Sequence, residues 1–318
     1  MITCRETQRA PAIAGAPSGH RADPFVSVVV ATYGREETLC QTLSHLFDLD
    51  YPSYEIIVVD QTPTHTPVTE RFLAEHRDRF QYVRSEPPSL PRARNVGVTR
   101  ATGEIVVFLD DDVIPAPSLL RAHVEAYDEP TVGGVAGQVL VPGEPRLATD
   151  RVGQVVDRRY RHYNFNSTVV TDALFAQGCN MSFRRALIDE AGGFEPAFAS
   201  NSTFEEIDLC LRLHRLGYRL RFEPQASVLH LVEASGGCGN RRGGLKWYYW
   251  FLHNLFLLAL RHQPLLSLAR IAWDEARTIV RVLRDPWLLP LWLVALPHAA
   301  VSFRRARAKR LSRSGVVT

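Results

Sequence analysis

The chain has 318 residues, of which 46% are apolar and 22% charged, a composition that excludes wholesale disorder and suffices for a large core. The formal net charge is +3, from 37 basic and 34 acidic side chains, and this balance excludes a protein whose main work is to coat nucleic acid. The five cysteines are scattered, without the close pairs of a zinc site or a disulfide framework, which indicates a reducing compartment.

Residues 1–24 are rich in Pro, Ala, Gly and Arg and show no hydrophobic period, so we expect a flexible leader. This stretch has no apolar run of the kind that a secretory signal peptide requires. We therefore expect the ordered part of the protein to begin at Phe25 and to lie in the cytoplasm.

Between residues 25 and 110, short apolar runs alternate with helical patterns. The predicted strands are Phe25–Ala31, Glu55–Asp60, Phe80–Val83 and Glu104–Asp110, and the predicted helices are one with Leu39, Leu43 and Leu46 on one face, Arg71–Arg79, and residues 92–101. This alternation predicts an α/β fold in which a mostly parallel sheet is wound by right-handed crossovers and flanked by helices. Ligands bind such sheets at the carboxyl ends of the strands, where Asp60 and Asp110 fall.

After Gly133 the alternation weakens, with a strand expected in GVAGQVLV, irregular structure over 150–170 and a helix over 203–217. From Lys246 onward the chain is aromatic and leucine-rich and is interrupted by prolines. The apolar run 287–303 is too short and too proline-rich for a confident membrane span, and the basic segment RRARAKRLSR follows it. These features favour an interfacial helix on anionic lipid, and a buried terminal helix with a solvated tail is the alternative.

Three consecutive carboxylates, Asp110, Asp111 and Asp112, follow the fourth predicted strand directly. Like charges this close repel one another, and a divalent cation relieves the repulsion. Oxygen ligands of this kind suit Mg²⁺ or Mn²⁺, whose other ligands then come from water and substrate phosphates. An exposed acidic turn at the start of the helix near Pro117 is the alternative interpretation.

Other polar groups are expected near the same edge of the sheet. Asp60 suits a hydrogen bond to a base or a ribose, or it is an ordinary loop acid. Arg92, Arg94 and Asn95 stand where a turn leads into a helix, a place that favours anions, although arginines on such a helix are also common solvated residues.

The segment Thr203–Leu209 places Glu205, Glu206 and Asp208 at the start of an amphipathic helix. Acids at this position interact favourably with the helix dipole, and a carboxylate in a cleft can also take the proton of a hydroxyl acceptor. His230, at a predicted strand end, either completes the metal site or serves as a structural hydrogen-bonding group.

Three common catalytic motifs are absent from the sequence. There is no GxGxxG turn, no GxxxxGK[ST] loop and no GxSxG elbow, which argues against a dinucleotide dehydrogenase, a P-loop hydrolase and an α/β-hydrolase. A nucleotide and a metal at the edge of a parallel sheet remain as the predicted ligands.

Together these segments resemble the inverting family 2 glycosyltransferases of the GT-A fold. VSVVVATYGREETLCQTLSHL is similar to the first strand and helix of that family, EIIVVDQT to its second strand, LPRARNVGV to its R-N-x-G element and FLDDD to its DxD metal motif. Gln61 departs from the family's usual second acid. The resemblance implies donor-nucleotide contacts from Thr32, Tyr33, Arg35, Asp60, Arg94, Asn95 and Asp111, and metal ligation by Asp110 and Asp112.

Two later segments extend the resemblance to about His230. Residues 178–198 resemble the acceptor-side segment, which implies that Gly178, Cys179 and Asn180 lie on the acceptor or sugar side. FEEIDLCLRLHRLGYRLRFEP is similar to the G-E-D-x-D-L-x-x-R element. Glu206 then stands at the position of the general base, Glu205 competes for that role, Asp208 orients the helix or the acceptor, and His230 matches a metal-binding histidine.

The resemblance implies a metal-dependent, inverting transferase of the hexosyltransferase type that uses Mn²⁺ or Mg²⁺. The expected donor is a UDP-, dTDP- or GDP-sugar, and the expected acceptor is a glycan or lipid-linked hydroxyl in cell-surface polysaccharide or glycolipid synthesis. We expect a catalytic domain over 25–232, and a glycine-rich loop and C-terminal helices over 233–318. These helices are expected to make peripheral contact with the inner face of the membrane.

Several alternatives stay open at this point. A sugar-1-phosphate nucleotidyltransferase would share the sheet, the metal and the acids, but it normally has a lysine near its start, and the first lysine here is Lys246. A noncatalytic nucleotide-sugar-binding protein would leave the acidic clusters unexplained. The glycine-rich residues 235–244 suit either a mobile lid or a linker. The aromatic residues 247–250 suit sugar stacking, a membrane interface or a packed core.

Overall fold

The computed structural model describes residues 23–156, 159–160, 164–233, 236–237, 244–264, 269–271, 273–275 and 290–313. Residues 1–22 of the predicted leader and most of the predicted glycine-rich loop lie outside the described residues.

The first half of the chain contains the four strands and three helices that the sequence predicts. They are β1 (Val26–Thr32), α1 (Glu37–Leu46), β2 (Tyr54–Asp60), α2 (Pro67–Glu75), β3 (Gln81–Arg84), α3 (Leu90–Arg100) and β4 (Ile105–Leu109). The strands lie in the order β3-β2-β1-β4, and every neighbouring pair is parallel. β4 is fully buried and β1 nearly so, as expected for apolar runs covered on both faces.

The helix α2 begins four residues before its predicted start and ends at Glu75 rather than near Arg79. The side chain of Thr66 accepts a hydrogen bond from the Thr69 N–H, and Pro67 occupies the first helical position. This cap and proline fix the start, because both satisfy the backbone requirements of a helix N-terminus.

The second half adds strands of both directions to the same sheet. Its elements are β5 (Val113–Pro115), α4 (Leu119–Glu125), β6 (Val132–Leu140), β7 (Val155–Val156), β8 (Arg159–Tyr160), β9 (Thr171–Ala173), β10 (Asn180–Arg184), α5 (Arg185–Ala191), α6 (Glu205–Arg215) and β11 (Arg219–His230). The sheet continues from β4 through β10, β6 and β11 to β5, and β9 pairs with β11. Since β10 is antiparallel to both of its neighbours, the parallel order predicted for the first half stops at β4.

The predicted α/β architecture is thus confirmed. Helices follow the parallel strands, and one continuous core runs through the sheet and its covering helices. The region 150–170, expected to be irregular, holds only the two-residue strands β7 and β8, and residues 157–158 and 161–163 lie outside the description.

The described residues of the C-terminal part include two long helices, α7 (Leu245–His262) and α8 (Leu291–Arg313), which pack against each other. Pro297 lies inside α8. In the described part of the chain, we find no helix with the length and apolarity needed to cross a bilayer. The ring of Trp247 stacks on Phe251 at 5.4 Å and Tyr248 is buried, so these two aromatic residues are part of the helix packing.

The sheet register brings distant parts of the chain to one edge. Asn180, at the start of β10, lies opposite Leu109 at the end of β4. His230, at the end of β11, lies opposite Val113 at the start of β5. The three aspartates between β4 and β5 therefore stand between the residues that precede β10 and the end of β11.

Candidate active site

A cavity of about 750 Å³ opens at this edge of the sheet. Its walls come from the ends of β1 and β4, from the end of β11, from the segment before β10 and from the first turn of α6. Thr32, Tyr33 and Arg35 lie on one part of the wall, and His230 and Glu206 on others. The cavity therefore collects residues that the sequence predicted for the donor, the metal and the catalytic base.

The predicted metal ligands are close together. One ligand atom from each of Asp110, Asp112 and His230 lies within 4.8 Å of the others, and His230 Nε2 is 3.2 Å from Asp112 Oδ1. Carboxylate oxygens suit Mg²⁺ and Mn²⁺, and an added imidazole suits the transition metals. The residues present thus fit a divalent cation.

The electrostatics of this cluster also favour a cation. Burial raises the pKa of Asp110, and it raises the pKa of Asp111 to about 7 although Arg35 opposes it. Burial acts on Asp112 as well, but the hydrogen bond and charge of His230, with Arg35, outweigh it and hold the pKa of Asp112 below its usual value. Asp112 and Asp110 likewise outweigh burial and raise the pKa of His230. A bound cation would relieve the cost of charging the three carboxyl groups together.

Arg35 lies against the acidic cluster and is only 8% exposed. Its Nε is 3.4 Å from Asp111 Oδ1, and its Nη2 is 3.2 Å from Asp112 Oδ2. A guanidinium in this place can contact a substrate phosphate as well as the aspartates.

Arg94 joins the acidic cluster to the start of α6. Its guanidinium is buried, with Nη2 donating to the Gly178 carbonyl at 2.8 Å and lying 3.5 Å from Asp110 Oδ1. The other terminal nitrogen is ion-paired with the carboxylate of Glu205. A Cβ at Gly178 would lie 2.8 Å from Arg94 Nη2, so glycine is needed for this approach.

The two glutamates at the start of α6 have different surroundings. Glu205 is fully buried as the counter-ion of Arg94. Glu206 is 6% exposed, and both glutamates line the same cavity as the acidic cluster. This difference favours Glu206 over Glu205 as the group that receives a proton from a substrate.

The segment that leads into α6 has an unusual backbone. Ser200, Ser202 and Phe204 have φ values of 59°, 50° and 74°, in the left-handed region that residues other than glycine seldom adopt. Asn201, Ser202 and Thr203 line the cavity. Strained backbone of this kind costs roughly 1–3 kcal/mol per residue and persists only where surrounding contacts hold it.

Asp60 does not line the cavity, although the sequence predicts a contact with the donor base. The side chain is fully buried, and it accepts hydrogen bonds from the Thr62 N–H at 2.7 Å, from His65 Nε2 at 2.7 Å and from the Tyr82 hydroxyl. These hydrogen bonds outweigh burial and lower the pKa of Asp60. The hydrogen bonds of Asp60 thus hold the loop after β2 in place.

Asn95 and Asn180 also lie outside the cavity lining, because backbone groups occupy their side chains. Asn95 Nδ2 donates to the Phe194 carbonyl and its Oδ1 accepts from the Phe194 N–H, both at 2.8 Å. Asn180 is fully buried, and its Nδ2 donates to the carbonyls of Gln138 and Ala226. Both amides thus hold neighbouring segments together, and their expected substrate contacts stay a prediction.

Asp208 is fully buried one turn into α6 and is not part of the cavity wall. Arg212 Nη2 and His262 Nε2 each lie 2.8 Å from its carboxylate, and Arg261 is ion-paired with it. These groups outweigh burial and hold the pKa of Asp208 well below its usual value. Of the interpretations that the sequence left open, the geometry favours orientation of the helix.

Comparison with known proteins gives the family of this chain. The sequence model described as Glycosyl transferase family 2 matches residues 27–192, which is more than half of the chain. The chain belongs to glycosyl transferase family 2. The matched range contains the acidic cluster, Arg35 and Arg94, whereas Glu206 and His230 lie beyond it.

This family 2 protein is similar to several curated relatives. It is 32% identical over 223 residues to a pre-mycofactocin glycosyltransferase from Mycobacterium tuberculosis. The aligned region covers 67% of this chain and 44% of that relative. It is 23% identical over 237 residues to a poly-β-1,6-N-acetyl-D-glucosamine synthase from Staphylococcus epidermidis. That aligned region covers 72% of this chain and 55% of the relative. The chain thus spans about half the length of these relatives.

Solved structures share the fold of this family 2 protein. The mannosyltransferase PcManGT from Pyrobaculum calidifontis, in complex with GDP-Man and Mn²⁺, matches with a TM-score of 0.54 and 24% identity over 93% of this chain and 81% of that one. S. aureus TarS 1-349, in complex with UDP-GlcNAc, matches with a TM-score of 0.60 and 17% identity over 89% and 83%. The fold is therefore that of the GT-A glycosyltransferases.

Some cavity residues of this family 2 protein had no signal in the sequence. Asn201, Ser202 and Thr203 line the wall through an irregular segment, and Val232 and Glu233 line it after β11. Residues in irregular segments carry no periodic pattern, so only the position of 201–203 before the acidic helix start and of 232–233 after His230 could have drawn attention to them.

Gly236 and Gly237 of the predicted glycine-rich loop pack on the segment after β1. The Gly237 N–H donates to the Tyr33 carbonyl at 2.6 Å, and a Cβ at Gly236 would lie 2.3 Å from the Gly34 oxygen. Both glycines line the cavity. The other residues of 235–244, apart from Gly244, lie outside the described residues, so the choice between lid and linker stays a prediction.

Proposed function

We propose that this protein is an inverting glycosyltransferase that moves a sugar from a nucleotide-diphosphate-sugar to a hydroxyl group. One observation carries the proposal: the potential metal ligands Asp110, Asp112 and His230 lie in the same cavity as the carboxylate of Glu206. A site of this composition can bind a diphosphate leaving group and also accept a proton from the attacking hydroxyl. The proposed catalytic domain is 25–232.

Asp110, Asp112 and His230 would hold the cation, either Mn²⁺ or Mg²⁺. When bound, it would offset the negative charge of the donor diphosphate. Thr32, Tyr33, Arg35 and Asp111 line the cavity beside these ligands, and we assign them to the donor nucleotide and sugar. Arg94 supports this side, since it contacts Asp110 and the backbone at Gly178.

Glu206 is the proposed general base. It would take the proton of the acceptor hydroxyl as that oxygen forms its bond to the anomeric carbon, and the bond from this carbon to the phosphate oxygen breaks with its electron pair on the nucleotide. Attack from the face opposite to the leaving group inverts the anomeric configuration. Glu205 is less suited to this role, because its charge is committed to Arg94.

A role in cell-surface polysaccharide or glycolipid synthesis is part of the proposal. It draws on the relatives that carry the names poly-β-1,6-N-acetyl-D-glucosamine synthase and glucosyl-dolichyl phosphate glucuronosyltransferase. The C-terminal region 233–318 is the proposed membrane-contacting part. In α8, Leu293, Val294 and Val301 are exposed, and Arg304 and Arg305 are exposed near them in sequence, a combination that suits the surface of an anionic bilayer at the inner face of the membrane.

A thermal-shift screen tests the donor site. UDP-, dTDP- and GDP-sugars are added with and without Mn²⁺ or Mg²⁺, since a ligand that binds only the folded protein raises its Tm. We expect stabilisation by one nucleotide class, dependent on metal and lost in Asp112→Asn. Asp172→Asn is the matched control, because this aspartate lies on β9 and is not part of the cavity wall.

The stabilising donor then serves in an assay of the products. Proton NMR of the released or transferred sugar reports the anomeric configuration, and we expect the opposite of the donor configuration. Retention would overturn the single-displacement mechanism. Donor binding without turnover, with lipid and glycan acceptors present, would favour a noncatalytic sugar-nucleotide-binding protein. Conversion of the donor to a nucleoside triphosphate and a sugar 1-phosphate when pyrophosphate is added would favour a nucleotidyltransferase.

A further inference from the structure

Helix α7 contacts the catalytic side of the cavity along most of its length. Near its start, the carbonyl of Trp247 accepts a hydrogen bond from Asn201 Nδ2 at 3.1 Å. One turn later the ring of Phe251 lies 5.4 Å from that of Phe204, the residue directly before α6. A helix from the C-terminal region thus packs against the strained segment 199–204, which forms part of the cavity wall.

Asn254 makes the central polar contact between α7 and the segment 199–204. It is fully buried, and its Nδ2 donates to the Ala199 carbonyl at 3.2 Å and to Asn201 Oδ1 at 3.0 Å. Asn201 Oδ1 also accepts a hydrogen bond from the Thr203 hydroxyl at 2.8 Å. One buried amide of α7 is therefore connected to three alternate residues of the wall, through the backbone at 199, the side chain at 201 and the hydroxyl at 203.

These hydrogen bonds act on a segment that would not hold its shape alone. Ser200, Ser202 and Phe204 all have positive φ values, and such backbone persists only where neighbouring groups over-determine it. Asn254 bonds to the residues on either side of Ser200, and Asn201 continues the contact to Thr203. The conformation of this part of the wall therefore depends on the docked position of α7.

The far end of α7 is fixed to α6 by charge. Arg261 is ion-paired with Asp208 and with Glu195, and His262 Nε2 is 2.8 Å from Asp208 Oδ1. Asp208 lies two residues beyond Glu206 on α6. α7 therefore holds both the segment before Glu206 and the helix that carries it.

We propose that Asn254 is a positioning residue that shapes the acceptor side of the cavity and the placement of Glu206. This inference rests on the proposed transferase function. The groups assigned to metal and donor are carried by β1, β4, β11 and their loops, whereas Asn254 acts on the segment 199–204 and on α6. Loss of its hydrogen bonds therefore affects the attacking oxygen and its base, and it leaves donor binding intact.

The test uses Asn254→Asp in the full chain, since aspartate keeps the shape and removes the N–H donor. Asn254→Ala is the second variant in case the new carboxylate prevents folding. Asn166→Asp is the matched control, because the Nδ2 of Asn166 also donates to a loop carbonyl, that of Pro145, outside the cavity wall.

Three readouts are measured. Hydrogen–deuterium exchange reports the amides of residues 199–206, Mn²⁺ and nucleoside diphosphate affinities report the donor site, and steady-state kinetics report donor hydrolysis with water as the acceptor. The nucleotide is the one that stabilises the wild-type protein in the thermal-shift screen. We expect faster exchange over 199–206, a kcat lowered by roughly tenfold or more because the base is misplaced, and a donor KM within about twofold of wild type. Asn166→Asp should leave all three unchanged.

Two results would overturn the inference: unchanged exchange and kcat in both variants, or a kcat loss matched by an equal loss of nucleotide affinity. Failure of the proposed function has a different signature. In that case the wild-type protein shows no metal-dependent nucleotide binding and no turnover, while the exchange experiment still decides whether Asn254 holds the segment 199–204.

Discussion

Arg35 forms a buried ion pair with Asp112, in which Nη2 of the arginine lies 3.2 Å from Oδ2 of the aspartate. The same oxygen accepts a hydrogen bond from the Glu233 N–H at 3.0 Å, and the other oxygen faces His230 Nε2 at 3.2 Å. Positively charged and hydrogen-bond-donating groups of the chain thus surround this carboxylate. A metal ion has to compete with Arg35 for Asp112.

This competition predicts that Arg35→Gln binds Mn²⁺ more tightly than the wild-type protein when no nucleotide is present. We expect a gain of roughly tenfold, equivalent to about 1.4 kcal/mol, from release of the buried ion pair. The free Mn²⁺ signal in electron paramagnetic resonance titrations measures it directly. Arg121→Gln is the control, because the side chain of Arg121 is 42% exposed and its ion pair with Asp23 is at 4.0 Å. Equal or weaker Mn²⁺ binding in Arg35→Gln would contradict the competition.

Removing the charge of Glu206 is predicted to lower the transfer rate, whereas removing the charge of Glu205 is predicted to lower stability. Glu206→Gln should fold normally and bind nucleotide, with transfer lowered by roughly 10²–10⁴-fold through loss of the base. Glu205→Gln should instead be less stable by about 3 kcal/mol, because the buried guanidinium of Arg94 loses its counter-ion.

Urea unfolding and initial transfer rates, measured on both variants, separate these outcomes, and each variant is the control of the other. If Glu206→Gln kept near-normal transfer while Glu205→Gln lost transfer without loss of stability, the roles would be exchanged.

The parts of the fold that the sequence predicted depend on local patterns. Apolar runs rich in Val and Ile make β1, β2 and β4, and the acidic triplet lies at a strand end, so its location follows from the rule for ligands in parallel sheets. The start of α2 was missed because Pro67 and the Thr66 cap outweigh the hydrophobic pattern.

The partners of polar side chains could not be predicted in the same way. Asn95 bonds to Phe194, which is 99 residues away, and Asp60 bonds to His65 and to Tyr82 on β3. A motif shows that a residue lies near a strand end or on a helix, but only the packed chain shows whether its polar atoms face the cavity or another segment. For the same reason, the choice between Glu205 and Glu206 required the position of Arg94.

Gly97 is predicted to be essential for the packing of α3 on β1. A Cβ at this position would lie 2.3 Å from Val29 Cγ1, well inside contact distance, although alanine is the better helix former. Gly97→Ala should lower the free energy of unfolding by about 1–3 kcal/mol through overpacking. Gly244→Ala, at the N-cap of α7, brings no described atom within 4 Å of the added Cβ, so its smaller cost of about 0.5–1 kcal/mol comes from the less favourable cap alone. Urea denaturation of both variants checks the difference, and equal stability would mean that β1 can move aside.

His123 is a buried neutral histidine of α4 that contacts two side chains of β10. Its Nε2 is 2.9 Å from Asn180 Oδ1, which can only accept, so this nitrogen carries the proton and Nδ1 accepts from the Ser182 hydroxyl at 2.9 Å. Burial lowers the pKa of His123 to about 4, against the hydrogen bond to Asn180. The unfolded chain, where the pKa is 6.5, therefore binds this proton more readily than the folded protein does.

Because the pKa of His123 is lower in the folded state, its contribution to stability is complete above pH 6.5 and is lost as the pH falls toward 4. Between pH 7.5 and pH 5, this residue should remove about 2 kcal/mol from the free energy of unfolding. In His123→Gln, which keeps an N–H donor for Asn180 but does not titrate, that part of the pH dependence should be absent.

Urea denaturation at the two pH values measures this pH dependence, with His45→Gln on the exposed face of α1 as the control. Since other histidines titrate in both proteins, the quantity that decides is the difference in pH dependence between the variant and the wild type. A difference near zero would mean that His123 is already protonated in the folded protein, with the hydroxyl of Ser182 turned to accept its second proton.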